Sequence, residues 1–255
     1  MTGKVASITS IVGVESMTNL TFMDLGWNSI SNIGSVGSLI NLRELYLNNN
    51  PITNISSVSN CPLLQRLSFA TAAIRDVSAL ASLTNLVWLD VGGNVISNIT
   101  AFSGLKKLTT LRLWNNQIAS LTPVAGLTNL QELLLQNNKI ADISSLSNLT
   151  NIVTLSLSLN NFSNITVLAN MKKLRDLRLN NNLALTNASP LSGLTNLVTL
   201  DLGDTGIKDI SALVTNASRG GLGSNDTVWL TRLSLTDTSK VSTLRNTYRV
   251  NVSWP

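Results

Sequence analysis

An apolar spacing that recurs every 22 residues constrains this chain more than any other feature. Between Leu130 and Asn151 the sequence reads LQELLLQNNKIADISSLSNLTN. Its apolar residues Leu130, Leu133, Leu135, Ile140, Ile143, Leu146 and Leu149 fit neither a sustained helical period nor a simple alternation. The same spacing starts at Leu20, Leu42, Leu64, Leu86, Leu108, Leu130, Ile152, Leu174 and Leu197, in steps of 22 residues and a last step of 23. One unit is LxxLxLxxNxIxxIxxLxxLxx. A fixed period of this kind marks a repeat architecture, in which each unit buries its apolar edge only against its neighbours.

This unit resembles the leucine-rich repeat family, in the short class of bacterial internalins and SDS22-like phosphatase regulators, over nearly the whole chain. The resemblance implies an α/β solenoid: a right-handed leucine-rich repeat superhelix with a concave parallel β-sheet and short 3₁₀ or α turns on the convex side. A continuous repeat predicts one domain over residues 1–255. Its expected parts are a truncated cap repeat over 1–19, nine full repeats over 20–214, a Gly-rich loop over 215–226, and a terminal repeat with its C-terminal cap over 227–255.

Within each unit the LxLxx stretch reads as the strand, with both leucines inward and the residues between them outward. The recurring Asn28, Asn50, Asn94, Asn116, Asn138, Asn160 and Asn182 follow it. A buried amide carries donors and an acceptor, so a stack of asparagines satisfies backbone groups where the chain leaves the strand. Repeat three has Ala72 at this position, and its turn must find another partner. Triplets such as Asn54-Ile55-Ser56, Asp76-Val77-Ser78 and Asp209-Ile210-Ser211 mark where the convex turn begins. Several also read as glycosylation acceptors, but the repeat grammar generates them automatically.

At the ends the pattern loosens. Ile8, Ile11, Val14 and Met17 fall on the convex apolar positions of the truncated repeat, which is expected to cap the core. Gly220, Gly221 and Gly223 lie in a loop without the lead-in strand and lysine of a phosphate cradle. The next strand has two registers open. Either Leu230, Leu233 and Leu235 form a new LxxLxL, or Val228 and Leu230 are the inward residues, which the resemblance to terminal units of bacterial leucine-rich proteins favours. Val241 and Leu244 should face the core from a helix capped by Thr238 or Ser239, and RVNVSW reads as a covering strand.

Composition narrows the chemistry. The chain has no histidine, which rules out a Ser-His-Asp triad and histidine-ligated metal. Cys61 is the sole cysteine and occupies a leucine position, so it reads as a buried apolar residue that forms no disulfide within the chain. No carboxylate pair stands apart from basic neighbours, so the chain reads as a non-enzyme with no cofactor and no metal. The net charge is +5 with pI near 9.7, yet the bases are scattered, which argues against a nucleic-acid partner. No apolar run is long enough to span a membrane. The opening MTGKVAS lacks the pattern of a signal peptide. The resemblance alone favours a secreted or surface setting.

Function is therefore sought on outward strand positions. Of eleven aromatic residues, Phe69, Phe102 and Phe162 fall on core positions and Tyr248 and Trp254 in the C-terminal cap. The other six, Phe22, Trp27, Tyr46, Trp88, Trp114 and Trp229, fall on outward strand positions or the adjacent turn, where packing does not require them. Trp, Tyr and Arg dominate interface energetics. The expectation is a protein partner anchored by Tyr46, Trp88 and Trp114 and oriented by Glu44, Arg66, Arg112 and Glu132, with Phe22, Trp27 and Asp90 on the same surface. Leu134, Gln136, Arg178 and Trp229 extend the surface. Two other readings stay open: an SDS22-like intracellular scaffold, and a carbohydrate-binding solenoid in which tryptophan and asparagine stack on and hydrogen-bond to sugars.

Overall fold

The computed structural model describes residues 7–254. They fold as a leucine-rich repeat solenoid whose contacts gather into two compact units, Met1–Ile118 and Ala119–Pro255. In the first unit the strands are β1 (Phe22–Asp24), β2 (Glu44–Tyr46), β3 (Arg66–Ser68), β4 (Trp88–Asp90) and β5 (Thr110–Arg112). They pair in parallel and in sequence order, with Met23, Leu45, Leu67, Leu89 and Leu111 in register. The second unit carries β6 (Glu132–Leu134), β7 (Thr154–Ser156), β8 (Asp176–Arg178), β9 (Thr199–Asp201), β10 (Thr227–Trp229) and β11 (Asn251–Ser253). These also pair in parallel and in order.

Three residues are too few to hold a strand, so the strands persist because the leucine rows between sheet and turns leave water together. Leu42, Leu45, Leu47, Ile52, Val58 and Leu64 are fully buried, and later repeats bury the same positions. Each such side chain contributes about 1.5–3 kcal/mol. On the far side of most repeats the chain makes one 3₁₀ turn, such as Ser56–Asn60 or Ser78–Ser82. The side chain two residues ahead starts it: Asn54, Asp76, Asn98, Asp142, Asn164 and Asn187 each accept the N–H at the turn's first residue.

The asparagine stack is as the sequence predicts. Asn94 Nδ2 donates to the carbonyls of Phe69, Val91 and Gly92, and its Oδ1 accepts the N–H of Ile74. Asn50, Asn116 and Asn160 bond in the same way. Where Ala72 interrupts the series, the Ile52 N–H turns to the carbonyl of Asn50. One residue before each asparagine position the backbone is left-handed, at Trp27, Asn49, Thr71, Gly93 and Asn115 in the first unit and Asn137, Leu159 and Asn181 in the second.

The ends differ from the regular repeats in informative ways. Ile11 is buried, but Ile8 and Met17 stand 42% and 54% exposed, so the first segment covers the core behind it while keeping its own apolar side in solvent. In the second unit an α-helix, α1 (Ser211–Ser218), replaces the 3₁₀ turn and runs into the segment expected as loop. Asn216 on α1 is fully buried and donates to the carbonyls of Leu191 and Leu194. Its Oδ1 would lie 2.1 Å from a Cβ at Gly221, which explains one glycine of the cluster as close backbone approach. Val228 lies opposite Leu200, so the strand takes the register with Val228 and Leu230 inward. Helix α2 (Ser239–Asn246) buries Val241 and Leu244, and its first N–H is taken by Asp237 and not by the hydroxyl of Thr238 or Ser239.

Candidate functional site

In the first unit the outward strand residues form a connected aromatic row. Phe22 on β1 meets Tyr46 on β2 with ring centroids 5.9 Å apart, and Tyr46 meets Trp88 on β4 at 6.0 Å. The second contact reaches past β3, where Ser68 is paired with Tyr46 in register and is buried. Tilted pairs at these separations contribute about 0.5–1.5 kcal/mol each beyond area burial.

Arginines complete the row. The guanidinium carbons of Arg66 and Arg112 stand 5.2 and 5.4 Å from the Trp88 ring. Arg66 Nε donates to the Tyr46 hydroxyl at 2.9 Å, and that hydroxyl donates to Glu44 Oε2 at 2.9 Å. Arg66 also lies 3.8 Å from Glu44, and Arg112 3.9 Å from Asp90. Burial pushes the Tyr46 phenol above its usual range, with Arg66 opposing. These links hold the side chains of the row in one arrangement and limit their rotamer freedom.

Trp114 and Trp27 are set differently. The Trp114 indole lies flat across Gly92 and Gly93, the residues that follow β4, so one of its faces is already used. Trp27 occupies the left-handed turn position at φ 60°, where Asn49 and Asn115 sit in other repeats, and is 79% exposed. Holding a bulky residue there costs about 1–2 kcal/mol, and the strain places an indole in solvent.

In the second unit Glu132 and Leu134 sit half-buried on β6. Gln136, Arg178 and Trp229 come together around a depression of about 390 Å³ with Asn180, Asp201 and Thr231. Ser156 and Ser158, both buried, belong to its lining. Asn180 and Thr231 are missed by the outward-position count along the strands. Extending the 22-residue step from Ser158 finds Asn180, since both occupy the position after the second inward leucine. Burial raises the Asp201 carboxyl above its usual range, with Arg178 opposing. Among the described residues no cluster of metal-ligating side chains forms, and no helix is long and apolar enough to cross a membrane.

The comparisons with known proteins agree with this geometry. The family model for leucine-rich repeats in two copies matches residues 40–82, 84–126, 128–170 and 172–215. A search of the curated proteins finds no match. Among solved structures, an internalin (inlF) from Listeria monocytogenes is similar with a TM-score of 0.77 and 26% identity, over 96% of this chain and 83% of that one. Internalin C2 from the same organism has a TM-score of 0.68 and 31% identity over 72% of this chain and 81% of that one. The ectodomain of the plant receptor kinase GASSHO1/SCHENGEN3 from Arabidopsis thaliana, solved in complex with CASPARIAN STRIP INTEGRITY FACTOR 2, has a TM-score of 0.77 at 21% identity. It covers 91% of this chain and 29% of that one. Leucine-rich repeat proteins commonly serve as protein-binding scaffolds, and on its repeats, its strand register and the matching model this chain belongs to the leucine-rich repeat family.

Proposed function

We propose that this protein is a non-enzymatic recognition module that takes a protein partner on the strand face of residues 22–114, in the manner of an internalin-like surface or secreted protein. The observation that carries the reading is the joined row Phe22, Tyr46 and Trp88 with Arg66 and Arg112 against the last ring. Aromatic and arginine side chains held rigid on a sheet are the residues that dominate binding energy at interfaces. Glu44 and Asp90 offset the guanidinium charges, which suits a partner of mixed charge with apolar or aromatic anchors. Trp27 and Trp114 extend the row toward the turns, and Glu132 and Leu134 offer a further half-exposed pair in the second unit. The internalin neighbours and the commonness of protein binding among leucine-rich repeat proteins support the reading.

The test is capture of a partner on the immobilised full chain, followed by affinities of Tyr46→Ala and Trp88→Ala variants of unchanged fold. Each should lose about 2 kcal/mol or more of binding energy. Affinity unchanged in both folded variants would overturn the reading.

A further inference from the structure

The depression in the second unit has a chemistry unlike that of the aromatic row. Its lining includes the small residues Ser156 and Ser158, which are buried. A Cβ at Gly203 would lie 2.4 Å from the Thr231 hydroxyl, so residue 203 has to be glycine for Thr231 to reach across it. The walls rise on either side, with Gln136 toward β6 and Trp229 on β10. At about 390 Å³ the space is of the size that small-molecule sites occupy.

Donors and acceptors alternate around it. Gln136 Oε1 is buried without a hydrogen-bond donor, one of two such side-chain oxygens among the described residues. Asp201 uses Oδ1 to accept the Gly203 N–H at 3.0 Å, and its second oxygen remains. Asn180 accepts from the Ser158 hydroxyl through Oδ1, which orients its amide nitrogen as a donor. Arg178 adds five donors and is exposed. The buried Gln136 oxygen is shielded from the opening, so the groups a ligand meets are the second oxygen of Asp201, the Asn180 amide and Arg178, which together suit a molecule bearing many groups that both donate and accept.

We infer that the depression bounded by Gln136, Arg178, Asn180, Asp201 and Trp229 is a binding site for a short neutral oligosaccharide. Sugar hydroxyls each donate and accept, which matches the mixed polar wall. The apolar face of a pyranose ring matches the Trp229 indole. The opposite charges of Arg178 and Asp201 leave the site close to neutral, which disfavours polyanions and strongly basic peptides alike. This site is separate in residues from the aromatic row and stands or falls independently of it.

The full chain, labelled and applied to an array of neutral and acidic oligosaccharides, provides the test, followed by titration of the best neutral hit. Trp229→Ala and Asn180→Ala, each verified by circular dichroism and thermal melting, should weaken that hit by about tenfold or more, the loss of one stacking or hydrogen-bonding partner. Trp88→Ala should leave it unchanged. Should either variant fold poorly, Gln136→Leu tests the same wall at the edge. No neutral hit, a preference for polyanions, or a hit that survives Trp229→Ala at full strength would overturn the inference.

Discussion

The Trp114 indole rests on Gly92 so closely that a Cβ at residue 92 would stand 2.2 Å from the indole Cε2. The two residues occupy equivalent positions of adjacent repeats, and the missing side chain of one is the bed of the other. Gly92→Ala must therefore lift the indole. Because Trp114 is half-exposed it has somewhere to go, and the stability lost should stay near 1 kcal/mol, the low end for overpacking. The emission of Trp114 should shift to the red, and partner affinity should fall as far as it does in Trp114→Ala. Unaltered fluorescence with unaltered affinity would contradict this account.

On the proposed function, Trp27 sets stability against recognition. Asparagine adopts the left-handed conformation readily and already occupies the equivalent position in several repeats. Trp27→Asn should raise the unfolding free energy by about 0.5–1 kcal/mol, and the same change should weaken the protein partner. Urea denaturation beside a binding isotherm separates the two effects.

The asparagine stack predicts a large loss and a smaller gain. Asn94→Ala leaves the buried Ile74 N–H and the Phe69 carbonyl without partners, and should cost about 3 kcal/mol or more. Ala72→Asn restores the interrupted series. Its gain should be only about 1 kcal/mol, because Ile52 already has the Asn50 carbonyl. Guanidinium midpoints of both variants check the pair.

Cys61 governs the alkaline side. Burial pushes its thiol up to about 11, and its Sγ–H donates to the Val36 carbonyl at 3.3 Å. The folded chain thus holds the proton more tightly than the unfolded one. The corresponding stability is complete below the unfolded thiol's pKa of about 8.5 and is lost as pH rises from there toward 11. Native protein at pH 8 should resist a thiol-labelling reagent that modifies it fully in denaturant. Cys61→Ala should flatten the stability decline between about pH 8.5 and 11.

On the acid side the relevant groups are the turn carboxylates. N–H and hydroxyl donors from Ser78, Ser144 and Ser239 hold Asp76, Asp142 and Asp237 below their usual range, and Lys240 with Ser211 holds Asp209 well below it. Depressed carboxyls stabilise the fold above the unfolded value near pH 4, and that contribution disappears as pH falls through their folded values. With no histidine in the chain, the melting temperature should be flat from about pH 5 to 8 and drop below pH 4. A step near pH 6.5 would contradict it.

Most of the fold was legible because the core obeys one rule repeated. Leu67, Leu89 and Leu111 occupy one environment, so period alone finds them and sets the strand register. The strand face follows no such rule. That Tyr46 meets Trp88 across β3, with Arg66 bonded to the one and set against the other, and that Trp114 lies flat over Gly92 are not set by the period. These are diagonal relations between repeats, and a spacing count that treats each outward residue alone does not register them. Asn180 and Thr231 sit at the repeat position of Gln136, just after the second inward leucine, so the position is legible, but only the fold shows that these copies of it line one depression. At the first segment the period places Ile8 and Met17 on inward positions, yet both stand exposed while Ile11 beside them is buried.

The span of the asparagine bonds has a consequence for how such a chain is made. Asn116 accepts from Ile96, twenty residues earlier, and donates to the carbonyl of Val91, twenty-five earlier. A repeat emerging during synthesis therefore leaves amide and carbonyl groups open until the following repeat arrives to close them. Each closure finishes the turn before it and opens the next, so a chain cut at a repeat boundary would expose one unfinished turn at its new end.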